Sequence, residues 1–126
     1  MTSRRAARRT ALELLYQWDL TGQPLASLHG HDVDPFALDL AEGVAARAEQ
    51  LDARITAASE EWPADRLGVV ERNVLRIGLF ELERGDVPVE VAIDQAVSLA
   101  KRYASEEAGR LVNGILGRLA REAHRA

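Results

Sequence analysis

Apolar residues recur at three- and four-residue spacing along most of this chain, and breakers interrupt the pattern at a few defined places. The spacing predicts a first helix from Arg4 to Leu20, stopped by Gly22 and Pro24. The stretch LASLHGHDVD reads as a loop with room for one short helical turn. Asp34-Pro35 then reads as a cap followed by proline at the first helical position. Helix follows to about Trp62, bent or divided at Gly43, and Pro63 ends it because the residue before proline avoids the helical region. Asp65 is a candidate cap for a helix reaching Arg84. There Val70, Val74 and Ile77 share one face, while Leu75, Leu79 and Leu82 share another. Two apolar faces predict a central helix, closed by Gly85.

DVPVEV is the one strand-like fragment, but Pro88 and the 3.6-residue period after it mark a helix start. The next helix sets Ala92, Ile93, Ala96, Val97, Ala100 and Tyr103 on one side. Ser105 reads as an N-cap, with Glu106 and Glu107 in the first turn where the helix dipole favours acids. Leu111, Val112, Ile115, Leu116 and Leu119 give the last helix its core side, and the polar end REAHRA is expected to fray. The pattern therefore predicts an all-α fold of about six to seven helices, with no fixed-period repeat and no low-complexity linker.

A length of 126 residues fits one domain, residues 1–126, and the 47% hydrophobic content is enough for a core. No run approaches the ~20 apolar residues of a membrane span. Glu13 and Asp19 interrupt the first apolar stretch, which argues against a secretory or mitochondrial leader. The absence of cysteine excludes disulfides and thiolate chemistry. The lack of cysteine fits a reducing compartment.

Charge changes the picture more. The chain is net −4, yet residues 1–10 hold four arginines and no acid, so the remainder carries 12 bases against all 20 acids. A basic head on an acidic body implies a confined site for a polyanion, since elsewhere such a ligand is repelled. Catalytic chemistry finds little support. No phosphate loop, nucleophile elbow or zinc-protease motif occurs. A metal at His29 and His31 would need Asp32 or Asp34 as a third ligand, and loop histidines are ordinarily solvated; His124 lies near the fraying end. The expectation is a non-enzyme without metal or cofactor.

On a helical wheel with Arg4 at zero, Ala7, Ala11, Leu14, Leu15 and Trp18 make the core side, with Arg8 near its border at about 40°. Arg5, Tyr16 and Arg9 fall at about 100°, 120° and 140°, a stripe clear of the core. Guanidinium forks fit phosphates, and an exposed tyrosine stacks a splayed base, so the stripe suits single-stranded RNA. The same stripe also reads as a solvated face with Tyr16 at the core edge. A second basic cluster, Lys101 and Arg102 with Tyr103, precedes Arg110. If that end packs beside the first helix, one continuous groove results.

Four segments, RRAARRTALELLYQWDL, VERNVLRIGLFEL, DVPVEVAIDQAVSLAKRY and RLVNGILGRL, together resemble the bacterial antitermination family NusB in order, spacing and total length. The resemblance is weakest across residues 21–60. It implies an all-α fold of two small helical bundles packed together and no catalytic activity. It also implies binding of the boxA element of nascent ribosomal RNA, together with the ribosomal protein that serves as NusE. Other Nus factors and RNA polymerase complete the assembly. Some members of the family pair with a second copy, so a homodimer is open to this chain too.

By position, the resemblance places Arg4, Arg5 and Arg8 in the arginine-rich RNA-binding head and Tyr16 at the aromatic that contacts RNA. Arg9 stands outside the family pattern and rests on the stripe alone. Glu107 and Arg110 match polar positions of a second RNA-binding segment near Lys101. Leu111 stands where an aromatic is usual, which implies altered boxA affinity or preference. Asp65 and Glu71 match acidic contacts for NusE, where opposite charge aids docking to a basic partner. The competing reading is a helical protein-interaction or dimerisation module that never touches RNA.

Overall fold

The computed structural model describes residues 3–60 and 62–123. Six α-helices run in order: α1 Arg4–Thr21, α2 Pro35–Ala46, α3 Ala48–Ala58, α4 Val69–Arg84, α5 Val89–Tyr103 and α6 Glu106–Ala123. Short 3-10 turns occupy Leu25–Ser27 and Ala64–Arg66. Among the described residues there is no strand, and no helix is long and apolar enough to cross a membrane.

α4 is the axis, as its two apolar faces require. It packs against all five other helices, and Asn73 through Leu79 are buried without interruption. α1, α2 and α3 gather on it from one part of the chain, while α5 and α6 pair with each other and with α4. One contiguous apolar core joins both groups, with Leu15, Leu40, Ile55, Leu75 and Leu116 among its covered side chains. The close approach of α6 and α5 to α4 depends on Gly78. A Cβ there would stand 2.5 Å from Cδ1 of Leu116 and 3.2 Å from Cβ of Ala96.

The helix ends show where local chemistry decides. Ser3 caps α1 by accepting from the Ala6 N–H at 3.1 Å, and Asp34 caps α2 through the Phe36 N–H at 3.4 Å. Gly85 closes α4 with φ of 74°, a left-handed position that suits a residue without a side chain. Ser105 accepts from the Ala108 N–H at 3.0 Å at the head of α6. Ser105→Ala is expected to lose about 1 kcal/mol of stability by removing that cap, read in urea titration as a lower midpoint at unchanged slope.

Four boundary and packing expectations need correction. The long second helix divides at Arg47, which is non-helical at φ −116°, and not at Gly43. Gly43 instead makes room for the Phe80 ring, whose Cζ would lie 2.3 Å from an added Cβ. α3 ends at Ala58, short of Trp62, because hydroxyls capture the backbone beyond it. Ser59 Oγ accepts from the Trp62 N–H at 3.2 Å, and Thr56 Oγ1 from the Ala64 N–H at 2.9 Å. Asp65 does not cap α4; it sits in the 3-10 turn, and Gly68 takes the cap position. Tyr103 lies outside the core of α5, and Leu99 fills the buried position with Ala92, Ala96 and Ala100. His124 lies outside the described residues.

Candidate nucleic-acid interface

The basic head is ordered helix from Arg4 onward, so its arginines take fixed directions. Arg4 and Arg5 are exposed and Arg9 is half-buried. Arg4 lies over the Phe36 ring, 4.5 Å from its centroid, which braces it on α2. Tyr16 is 41% exposed, three turns further along the Arg5–Arg9 stripe.

Arg8 does not share that surface. It is 4% exposed, and its guanidinium faces Glu81 of α4, donating from Nε to Oε1 at 2.8 Å and from Nη2 to Oε2 at 2.9 Å. The side-on fork is occupied by a carboxylate that is itself buried, and at 4% exposure the guanidinium offers a phosphate almost no approach. Its wheel position at the core border gave the direction; the acid that receives it lies 73 residues away.

The second cluster divides in two. Tyr103, at the end of α5, comes beside Tyr16 across a shallow trough of about 350 Å³ that Leu12, Glu13, Gln17 and Val70 complete. The Arg102 guanidinium stands 5.5 Å from the centre of the Tyr103 ring. Lys101 lays its aliphatic stem across Gly109 of α6, with its ammonium 3.9 Å from Glu106. Glu107 and Arg110 are exposed on the first turns of α6. Arg110 and Leu111 line a different cleft, closed by Ala58 at the end of α3, by Ser59 and Glu60 after it, and by Arg118 and Arg121 further along α6. Leu111 is half-buried against the core. The structure thus brings Tyr103, and not Arg110, to the tyrosine of α1.

Asp65 is exposed and Glu71 half-buried, and neither has an ion-pair partner among the described residues. The Glu71 carboxylate folds back over Gly68, where both its oxygens would lie 2.8 Å from an added Cβ. At His29, Nδ1 lies 3.0 Å from the Gly30 carbonyl, and no group of three ligand-type side chains among the described residues could hold a metal ion.

At the last turn of α1 lies a polar cluster that the sequence reading missed. Asp19 of α1 accepts through Oδ2 from Arg72 Nε at 2.9 Å, Asn73 Nδ2 at 3.0 Å and Arg76 Nη1 at 3.0 Å. Arg76 also grips Asp52 of α3 from two nitrogens, at 2.7 and 2.6 Å. Its guanidinium lies 5.7 Å from the centre of the Trp18 ring. Burial pushes the Asp19 carboxyl up, but hydrogen bonds from Arg72 and Asn73 and the charges of Arg76 and Arg72 outweigh it, so the net shift is downward. Burial likewise opposes the charge on Arg76, and Asp52 and Asp19 overcome it. The cluster ties α1 and α3 to α4 and fixes how α1 presents its outer face. Its sequence signal was polar ERN and R within an apolar helix, which a scan for core periodicity passes over.

Comparison with known proteins places these features in a family. The sequence model of the NusB family matches residues 5–121. The transcription antitermination protein NusB of Solibacter usitatus is 38% identical, over 97% of this chain and 91% of that protein. NusB from T. maritima superposes with a TM-score of 0.84 at 35% identity, covering 96% of this chain and 92% of its own. A chain from a complex of antitermination factors NusB and NusE with double-stranded RNA superposes at 0.83 and 33% identity, covering 94% and 96%. With backbones that superpose at TM-scores above 0.8 and nearly the whole sequence aligned, this chain belongs to the NusB family.

Proposed function

We propose that this protein is a non-enzymatic antitermination factor of the bacterial cytoplasm. Residues 1–126 act as one unit that binds boxA RNA together with NusE, within an assembly of other Nus factors and RNA polymerase. The observation that carries this reading is the fixed stripe of Arg5, Arg9 and Tyr16 on a chain whose structural relative is seen with NusE and RNA. Arg4, Arg5 and Arg9 neutralise phosphates, which gives affinity and salt dependence; Tyr16 stacks an unpaired base. Lys101, Glu107, Arg110 and Leu111 form a second contact region around the head of α6, away from the α1 stripe. Asp65 and Glu71 offer unpaired negative charge near the start of α4 to the basic partner.

That relative was seen with duplex RNA, whose base faces are stacked and hidden. An exposed tyrosine gains most from a splayed base, so the reading favours a single strand. Electrophoretic shift with a boxA oligoribonucleotide, with and without NusE, tests it; tighter binding with NusE is expected, and a duplex of the same sequence is expected to bind less well. Arg5→Ala with Arg9→Ala is expected to weaken binding evenly across sequences and to reduce the salt slope by roughly 0.7 per arginine. An unchanged slope in a folded double variant removes the stripe as the RNA surface. Charge reversal at Asp65 and Glu71 is expected to weaken NusE recruitment while weak direct RNA binding persists. A module confined to protein contacts would show no RNA binding in any of these arms.

A further inference from the structure

The trough beside the arginine stripe has two aromatic walls, and only Tyr16 belongs to the stripe. The other wall is Tyr103, the last residue of α5, and Leu12 and Val70 line the same trough. Tyr103 is 39% exposed and Tyr16 is 41% exposed. Trp18, Phe36 and Phe80 are all more covered, and Trp62, the other exposed aromatic, does not line the trough. Two partly exposed rings lining one trough with apolar Leu12 and Val70 match what an unpaired base requires, because every base offers a π-face. The rim carries charge of both signs. Arg102 is braced on the Tyr103 ring and Arg9 precedes the trough by one turn of α1, while Glu13 and Gln17 line the trough itself. Positive charge outside and a carboxylate at the mouth admit a base and turn a phosphate away to the arginines.

We propose that Tyr103 is a second stacking residue, which with Tyr16 forms a two-walled slot for an unpaired base of the bound RNA, and that Arg102 holds the adjoining phosphate. The inference rests on the RNA-binding reading above and adds to it a contact from the α5 end. It makes the RNA path cross from α1 to α5 rather than follow α1 alone. The C-terminal end of α5 becomes part of the interface although its period marks that side as core.

The test uses the full chain with NusE and a single-stranded boxA oligoribonucleotide. Tyr103→Leu keeps apolar cover over Val70 but removes the π-face, and is expected to lower affinity roughly five- to hundredfold. The salt slope stays unchanged, because no charge is lost. Tyr103→Phe is expected to recover most of that loss, and Arg102→Ala to reduce the salt slope by roughly 0.7. In the unaltered protein, RNA carrying a photoreactive uridine is expected to crosslink to the peptides of both Tyr16 and Tyr103. That measurement decides the matter if circular dichroism shows Tyr103→Leu to be unfolded. Full affinity in Tyr103→Leu, with loss in Tyr16→Leu, overturns the slot and leaves the RNA reading standing. Absence of RNA binding by the unaltered chain with NusE overturns both. Unchanged RNA affinity with weakened NusE binding in Tyr103→Leu assigns the trough to the protein partner instead.

Discussion

Replacing Arg8 by alanine is expected to cost about 3–5 kcal/mol of folding stability, a large share of what a domain of this size possesses. The truncation leaves the Glu81 carboxylate buried opposite nothing, with its two charge-assisted hydrogen bonds at 2.8 and 2.9 Å removed. At this chain length the loss corresponds to a fall in Tm of roughly 10–20 °C. Glu81→Ala is expected to do similar harm for the mirror-image reason. Arg8→Met combined with Glu81→Leu is expected to recover most of the stability, since no charge is then left unpaired and the volume is retained. Thermal unfolding of the two single variants and the double variant gives the cycle. If the three changes are additive, the pair is not the source of the cost. The result also governs how RNA data are read. Arg8→Ala will lower RNA binding because α1 loses its anchor to α4, so it says nothing about phosphate contact. Arg5 and Arg9 are the positions at which charge can be removed from the outside.

Asp19→Asn is expected to lose roughly 2–3 kcal/mol near neutral pH, because one carboxylate oxygen serves Arg72, Asn73 and Arg76 together. The amide keeps the shape but withdraws the charge that balances two guanidinium groups. The pH dependence follows from the downward shift of the Asp19 carboxyl. Its folded pKa lies below the unfolded value of about 3.9, so the unfolded chain takes up the proton first. The stabilisation is fully present above that value and drains away as pH falls through the lower, folded one. Urea titrations at neutral pH and in steps downward from about pH 4 are expected to show the unaltered protein and Asp19→Asn converging in stability. A gap that stays constant down that range would mean the carboxylate charge is not what holds the cluster. Because α1 and α3 meet α4 through these bonds, Asp19→Asn is also expected to loosen the stripe, with weaker RNA binding at an unchanged salt slope.

Much of the fold was legible because helix signals are local. Ser105, Gly85 and the Asp34-Pro35 pair act through the turn they stand in, so their effect is written where they are. The apolar period of α4 announced a helix covered on both sides, and it is. Two of the misreadings concern packing. Gly43 was read as a break because glycine disfavours helix, but the space it leaves is filled by Phe80 from a helix 37 positions onward. Tyr103 was placed inside by its period, yet α5 ends there and the ring stays 39% exposed at the rim of the trough.

The sequence alone determined an all-helical chain, most of its helix ends, the basic head on an acidic body, and its family likeness. Each of these depends on neighbours within a turn or two, or on a count. Only the tertiary structure decided which arginines serve the fold and which face water. Arg8 and Arg76 are buried against acids far along the chain, while Arg5 is exposed on the same helix as Arg8. A guanidinium has one chemistry in both places. Whether it meets a carboxylate or solvent is fixed by how helices distant in sequence come together, and a local pattern carries no record of that.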